Sequence, residues 1–254
     1  MKTRRPYLVM LVSAILLAGC KEDSPVNDLI ENAAGDYLIA EAYENGALSS
    51  RFEYNHLNQL VRMQGYGKDG TLVSTGNYNY NDKGQLISVV VQTKDDRVTT
   101  ELEYDQSGQL IHSSAYDGEE LIVSYTHDYE DNRVIVTAMT DNEVSSIHAY
   151  TIENGNIVRE EFVHPTMPQM NWIRERFDFD DKRYGQGGYY SLAYLTDINN
   201  PRRERLTSVS GILDLDWRWE YSYNEAGYMT KATNYDMATG DKIDVYDYKL
   251  IKAK

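Results

Sequence analysis

Asp214, Asp216 and Glu220 stand beside Trp217 and Trp219. Two carboxylates about 5–9.5 Å apart, one to protonate and one to attack or activate water, are what glycoside hydrolysis requires. If the chain were an enzyme, a glycan-active site would sit there. Forty acids in 254 residues make solvated surface the simpler account. His112, His127 and His148 would share a face if hairpins closed at 118–119, 131–132 and 142. A metal site needs a tighter cluster, and a one-residue register slip would disperse them. Asn77, Asn79 and Asn81 place oxygens at alternate positions, but Gly84 is misplaced for a calcium loop. There is no Gly-x-Ser-x-Gly elbow, His-Glu-x-x-His pair, Walker loop or dinucleotide fingerprint. The expectation is a non-catalytic protein that uses no metal or cofactor.

Binding residues are a different matter. Between 163 and 220 the chain holds all three tryptophans, Trp172, Trp217 and Trp219, together with Tyr189, Tyr190 and the run Arg202-Arg203-Glu204-Arg205. Trp, Tyr and Arg are enriched at binding hot spots. Irregular segments on a regular scaffold are where binding sites usually sit. Trp172, Tyr189, Tyr190, Arg203, Trp217 and Trp219 are therefore the candidate ligand contacts, for a glycan or a protein. The competing account is that these aromatics fill a bend in a curled sheet.

The scaffold itself is legible as a repeat. Phe52-Glu53-Tyr54-Asn55, Tyr78-Asn79-Tyr80-Asn81, Leu102-Glu103-Tyr104-Asp105, His127-Asp128-Tyr129-Glu130, Tyr150-Thr151-Ile152-Glu153, Phe177-Asp178-Phe179-Asp180, Tyr221-Ser222-Tyr223-Asn224 and Tyr246-Asp247-Tyr248 recur down the chain. The spacing of the third positions runs 26, 24, 25, 23, 27, 44 and 25 residues. Each unit alternates apolar with polar, the period of a half-buried strand. An Asx–Gly turn and an aliphatic pair then follow in most copies, as at Gly84 with Leu86-Ile87. Midway lies a second turn, such as Lys68-Asp69-Gly70 or Asp117-Gly118. Tyrosine, 22 of 254 residues against 4 Phe and 5 Pro, suits strands with one wet end. The fold class is all-β: a long antiparallel meander of repeated hairpins, about 14–17 strands. Twisted open sheets rarely exceed about ten strands, so this one should be curled or folded over. Outward positions such as Glu53, Asn79, Glu103 and Asp128 are polar, which argues against a lipid-facing barrel.

The core Tyr104-Asp105-Gln106-Ser107-Gly108-Gln109-Leu110, with Tyr80-Asn81-Asp82-Lys83-Gly84-Gln85-Leu86, resembles the YD (Rhs-type) repeat. The likeness covers 52–162 and again 219–248. It implies curved β-sheet and a non-catalytic role. The chain is too short to enclose a cargo domain and has no appended C-terminal effector, as large members of that family do.

Residues 1–19 read as a signal peptide: a basic start at Lys2, Arg4 and Arg5, then an apolar run from Tyr7 to Leu17. That run is too short to span a bilayer of about 30 Å. Leu17-Ala18-Gly19-Cys20 resembles the lipobox of bacterial lipoproteins, which implies acylation at Cys20, the only cysteine. Lys21-Glu22-Asp23 resembles the export signal of surface lipoproteins in the Bacteroides group. Residues 20–35 would be the lipidated cysteine and a polar tether, and 36–254 a single repeat domain with an irregular insertion around 163–220. Losing the leader deepens the net charge from −15 to −18, which argues against nucleic acid and against polybasic docking to lipid. The expectation is a lipid-anchored outer-membrane protein facing the cell exterior. It would act as a binding or adhesion module or, failing that, as a structural part of an envelope complex.

Overall fold

The alternating segments become strands, and the Asx–Gly segments become turns between them. The computed structural model describes residues 36–183, 197–211 and 214–254. Cys20, Tyr189 and Tyr190 lie outside the described residues. The described chain holds sixteen antiparallel strands. The first eight are β1 (Tyr37–Glu44), β2 (Ala47–Tyr54), β3 (Leu60–Tyr66), β4 (Leu72–Tyr80), β5 (Leu86–Thr93), β6 (Arg97–Tyr104), β7 (Leu110–Asp117) and β8 (Glu120–Glu130). The rest are β9 (Arg133–Thr140), β10 (Glu143–Glu153), β11 (Asn156–Val163), β12 (Trp172–Arg183), β13 (Asn199–Ser208), β14 (Asp214–Tyr223), β15 (Met229–Asp236) and β16 (Lys242–Lys252). Each pairs with its sequence neighbours, so the meander is unbroken through the window where the repeat fades.

Four turns at one rim share a single chemistry. The side-chain oxygen of Asn81 accepts from the backbone N–H of Lys83 and of Gln85, both at 3.0 Å. Asn55, Asp105 and Asn224 accept in the same way from Gln59, Gln109 and Tyr228 at 2.8–3.0 Å. Three residues after each Asx the backbone turns left-handed, at Asn58, Gly84, Gly108 and Gly227, with φ between 60° and 87°. Glycine adopts that region at little cost. Tyrosines at strand ends reach back across their hairpins: Tyr54, Tyr80 and Tyr104, each preceding its Asx, and Tyr129, preceding Glu130, donate to the carbonyls of Ile39, Leu60, Leu86 and Leu110 at 2.8–2.9 Å. The high tyrosine content therefore has a structural cause: an apolar ring for the interior and a hydroxyl that satisfies a strand end.

The sheet does not stay open, as the sequence argues, and it goes further than curling or folding over. It closes into a barrel, because β1 pairs with β16 from Tyr37↔Lys252 to Glu44↔Tyr246. Closure removes both free edges of the sheet. Side chains reinforce the seam. Asn45 donates its N–H to the Val245 carbonyl at 2.7 Å and accepts from the Val245 N–H at 3.0 Å. Glu41 bridges Lys249 on β16 and Arg51 on β2 at 2.8 and 3.0 Å. The Lys249 ammonium, then the Tyr43 hydroxyl and Arg51, hold the Glu41 carboxyl down at about 2.

Register partners share a face, so the two walls can be read strand by strand. Tyr78, Val89, Thr100, Ala115 and Val123 form one inner row, in that order of pairing. Leu86, Val89 and Ala115 there have zero exposure, so no open bore runs along this wall. The core continues onto Met229, Ala232 and Tyr248 of β15 and β16. Porins of sixteen strands leave an aqueous channel, whereas this barrel fills much of its interior. Charges interrupt the outer rows: Glu53 pairs with Arg62 and then Asn77, and Arg159 with Glu175 and then Arg205, among scattered exposed apolar residues such as Ile87 and Leu121.

Candidate functional site

Trp172, Arg203, Trp217 and Trp219 are the candidate residues that the structure describes. They fall in two places separated by the thickness of the barrel wall.

The outer place is a groove of about 970 Å³ across β12–β16. Arg203, Arg218, Tyr235 and Lys242 are successive register partners on the outer face. Glu220, Thr233 and Val245 form the next row, and Ser222 and Lys231 the one after. Arg203 is held by Asp216 through two hydrogen bonds of 2.8 and 2.5 Å and lies 5.9 Å from the Phe177 ring. Arg218 pairs with Glu220 and stacks 4.5 Å from the Tyr235 ring, whose hydroxyl donates to Glu220 at 3.0 Å. The guanidinium groups hold Asp216 and Glu220 below their usual range. Both carboxylates are thus engaged by arginines of the same face. Trp219 contributes to the groove floor, but its ring is inward, coplanar with Tyr221 at 6.2 Å and packed on the core. Trp217 shares its face, since it pairs with the inward Glu204.

The inner place lines β10–β13. Tyr150, Glu160, Arg174 and Leu206 are successive partners in the row that begins with the buried Val134. The adjacent row runs Val136, His148, Phe162, Trp172 and Ser208. Glu160 accepts from His148 at 3.2 Å and faces Arg174 at 3.5 Å. Burial by itself would raise Glu160, but His148, Arg174 and Arg176 outweigh it and hold the carboxyl low. Arg176 pairs with Glu204 at 3.0 Å and Asp197 at 3.4 Å. Asp197 also accepts from the Ile157 N–H at 2.7 Å. Burial still pushes Asp197 up to about 6, against the pull of Arg176. Trp172 stacks on Phe162 at 5.4 Å, meets His148 edge-on at 6.1 Å and carries the Arg174 guanidinium 5.5 Å from its ring.

The three histidines separate. His127 and His148 are inward, both partners of Val136. His112 pairs with the outward Thr126 and binds Ser114 at 3.1 Å. His127, bonded to Ser113 at 3.2 Å, is pushed down to about 4 by burial and by the charge of His112. Among the described residues no group of His, Cys, Asp or Glu is arranged to hold a metal ion. Sequence reasoning missed Glu160, Arg174 and Arg176 as interior residues. The signal was present: Trp172, Arg174 and Arg176 alternate, so one face of that strand must carry all three.

A protein family described as "Uncharacterised protein" matches residues 66–167. No curated protein matches the chain. Among solved structures, a porin-like protein from Bacteroides vulgatus has 12% identity and a TM-score of 0.52, covering 84% of this chain and 98% of its own. A porin-like protein from Bacteroides uniformis has 13% identity and a TM-score of 0.35, with coverages of 83% and 86%. The Photorhabdus luminescens Tc holotoxin pore has 13% identity and a TM-score of 0.24, with coverages of 78% and 13%. At the first of these scores the likeness is one of fold: this chain shares an all-β barrel architecture with the Bacteroides vulgatus protein.

Proposed function

We propose that this chain is an envelope lipoprotein whose barrel stands outside the bilayer and acts as a non-catalytic binding module. The observation that carries the reading is the outer wall. Charged partners such as Arg159 with Glu175, and Arg203 with Arg218, occupy outer positions inside their strands. Arg or Lys facing lipid at the bilayer midplane costs about 2–4 kcal/mol each. The likeness in fold to a porin-like protein of Bacteroides vulgatus fits an outer-membrane association, while the filled inner wall favours binding over conduction. The lipobox-like Leu17-Ala18-Gly19-Cys20 supplies the anchor, and Lys21-Glu22-Asp23 supports display at the cell exterior. Asp36 and Lys254 lie at the same rim, where Ala253 donates to the Asp36 carbonyl at 2.9 Å. A tether from Cys20 therefore leaves the opposite rim and the β12–β16 flank free for a glycan or protein ligand.

Fractionation tests the anchor. A Cys20→Ala protein should move from the membrane to the soluble fraction, and intact cells should lose their protease-accessible copy. Wild-type protein found only in the soluble fraction refutes the anchor. Titration of an oligosaccharide and mucin panel, followed by tryptophan fluorescence, tests the binding role. A second reading, a structural part of an envelope complex, draws on the rim opposite the termini. Leu72, Leu121, Val144, Met170, Val209 and Met237 are exposed there. Mild crosslinking on cells that captures a stoichiometric envelope partner, with no ligand from the panel, would favour that reading.

A further inference from the structure

We infer that the groove over β12–β16 binds an acidic saccharide, a polymer segment bearing carboxylates or sulfates. This rests on reading the chain as a binding module and names the ligand class of its outer site. The first observation is a local inversion of charge. Five cations, Arg202, Arg203, Arg218, Lys231 and Lys242, line the groove with Asp178 and Glu220, and they outnumber the acids even with their partners Asp216 and Asp247 counted, on a chain whose net charge is −15. Acidic surface elsewhere repels a polyanion, so this face is where one can approach.

The second observation is how these cations are held. Arg203 and Arg218 are fixed by carboxylates and aromatic rings, and so are pre-organised rather than spent. Each still presents guanidinium surface to solvent, with side-chain exposures of 43% and 46%. Lys231 is only loosely paired, 3.7 Å from Asp247. Arg202 acts on the exposed Asp181 through the field of its charge, and Lys242 lies in the outer row beside Tyr235. A planar fork suits a carboxylate or sulfate, and the lysines add mobile point charges.

The third observation concerns what the groove lacks. An acidic peptide in extended form binds best by adding a strand to a free edge. The closed barrel offers no such edge among the described strands, and the groove crosses strands instead of following one. Its floor carries the side chains of Ser222 and Thr233 beside the Tyr235 ring. Hydroxyls and a ring face suit a sugar's own hydroxyls and C–H surface. About 970 Å³ is at the upper end for small-ligand sites, enough for several sugar units.

Calorimetric titration of the full mature chain with four polymers tests the inference: polygalacturonate, chondroitin sulfate, neutral dextran and poly-L-glutamate. The first two should bind, the stronger of them identifying carboxylate or sulfate, and both should weaken as salt rises from about 50 to 500 mM. The Lys231→Gln/Lys242→Glu double variant should lose about tenfold or more in affinity. Lys83→Glu, in a turn of the β4–β5 hairpin, should not change it. Circular dichroism should show both variants folded, and if the double variant is not, Arg202→Gln alone should reproduce a smaller loss. Dextran binding as tightly as the acidic polymers, or poly-L-glutamate matching them, would overturn the inference and leave a binding module with a different ligand. Binding of none of the four overturns it as well. The broader reading falls only if the oligosaccharide panel and the cell crosslinking are also empty.

Discussion

The regular half, β2 to β9, and the altered half, β10 to β14, are built on one backbone plan with opposite interiors. In the regular half the inner rows hold mainly Leu, Val, Ala and Tyr with the buried Ser113–His127 pair, and most polar duties are local, an Asx oxygen on its own turn or a Tyr hydroxyl on the next strand. In the altered half the same inward positions hold Glu160, Arg174, Arg176 and Glu204, which pair with one another, with His148 and with Asp197 across adjacent strands. Hydrophobic rows stabilise without regard to direction, whereas an ion-pair network stabilises only when every member is present. The difference shows that the repeat specifies pairing and turns, and leaves the interior free to be re-used.

The comparison can be broken at a single residue. Leu86→Ala in the regular half should cost about 4 kcal/mol, because its site has no exposure and no slack; urea denaturation measures it. A loss below about 1 kcal/mol would mean that the interior there is not close-packed.

Glu160→Leu in the altered half should cost about 3 kcal/mol by leaving His148 and Arg174 without their carboxylate. The Glu160→Leu/Arg174→Leu double variant should recover part of that loss. Additive losses would show that the two do not act as a pair.

Acid and base sharpen the comparison with opposite signs. His127, at about 4 when folded, favours the neutral form. It costs nothing above its ordinary value of about 6.5, and below that stability should fall, by up to about 3 kcal/mol near pH 4. Asp197, raised to about 6, favours the protonated form. Its contribution is fully present below its ordinary value and is lost as pH rises through about 6. Both act between about pH 4 and 6.5, so in thermal melts across that window His127→Gln should remove a gain of stability with rising pH and Asp197→Asn a loss. Exchanged effects would refute the assignment.

The smallest effect belongs to the repeat. Tyr104→Phe keeps the ring and loses the hydrogen bond to the Leu86 carbonyl, at a cost of about 1 kcal/mol. Tyr80→Phe should match it because the contact is the same. Melts that differ widely between them would show that the two hairpins are not equivalent.

The turns and strands were legible because their chemistry is local. Asn81, Gly84 and Leu86 sit within six residues and act on one another. The strand number was legible for the same reason, since each hairpin announces itself. Closure was not, because Tyr37 meets Lys252 across nearly the whole chain and no local residue type encodes that pairing. At the candidate site, Arg203 and Trp172 stood out by type. Their separation onto opposite faces depended on register, which shifts at bulges such as those between Val144 and Ser146 and between Phe179 and Arg183. Inward Arg174 and outward Arg203 look alike in a sequence, and only the strand partner tells them apart.

The seam between β1 and β16 makes the order of the strands circular. Tyr37 and Lys252 are partners at one rim, so joining them by a short linker would turn the seam into one more hairpin. Cutting instead at the Asn81–Gln85 turn would then leave all sixteen ladder pairings in place. In such a ring the beginning of the chain is a matter of gene order rather than of architecture. Hairpins could be gained or lost in pairs anywhere around it, and the barrel would change in girth while the meander stayed the same.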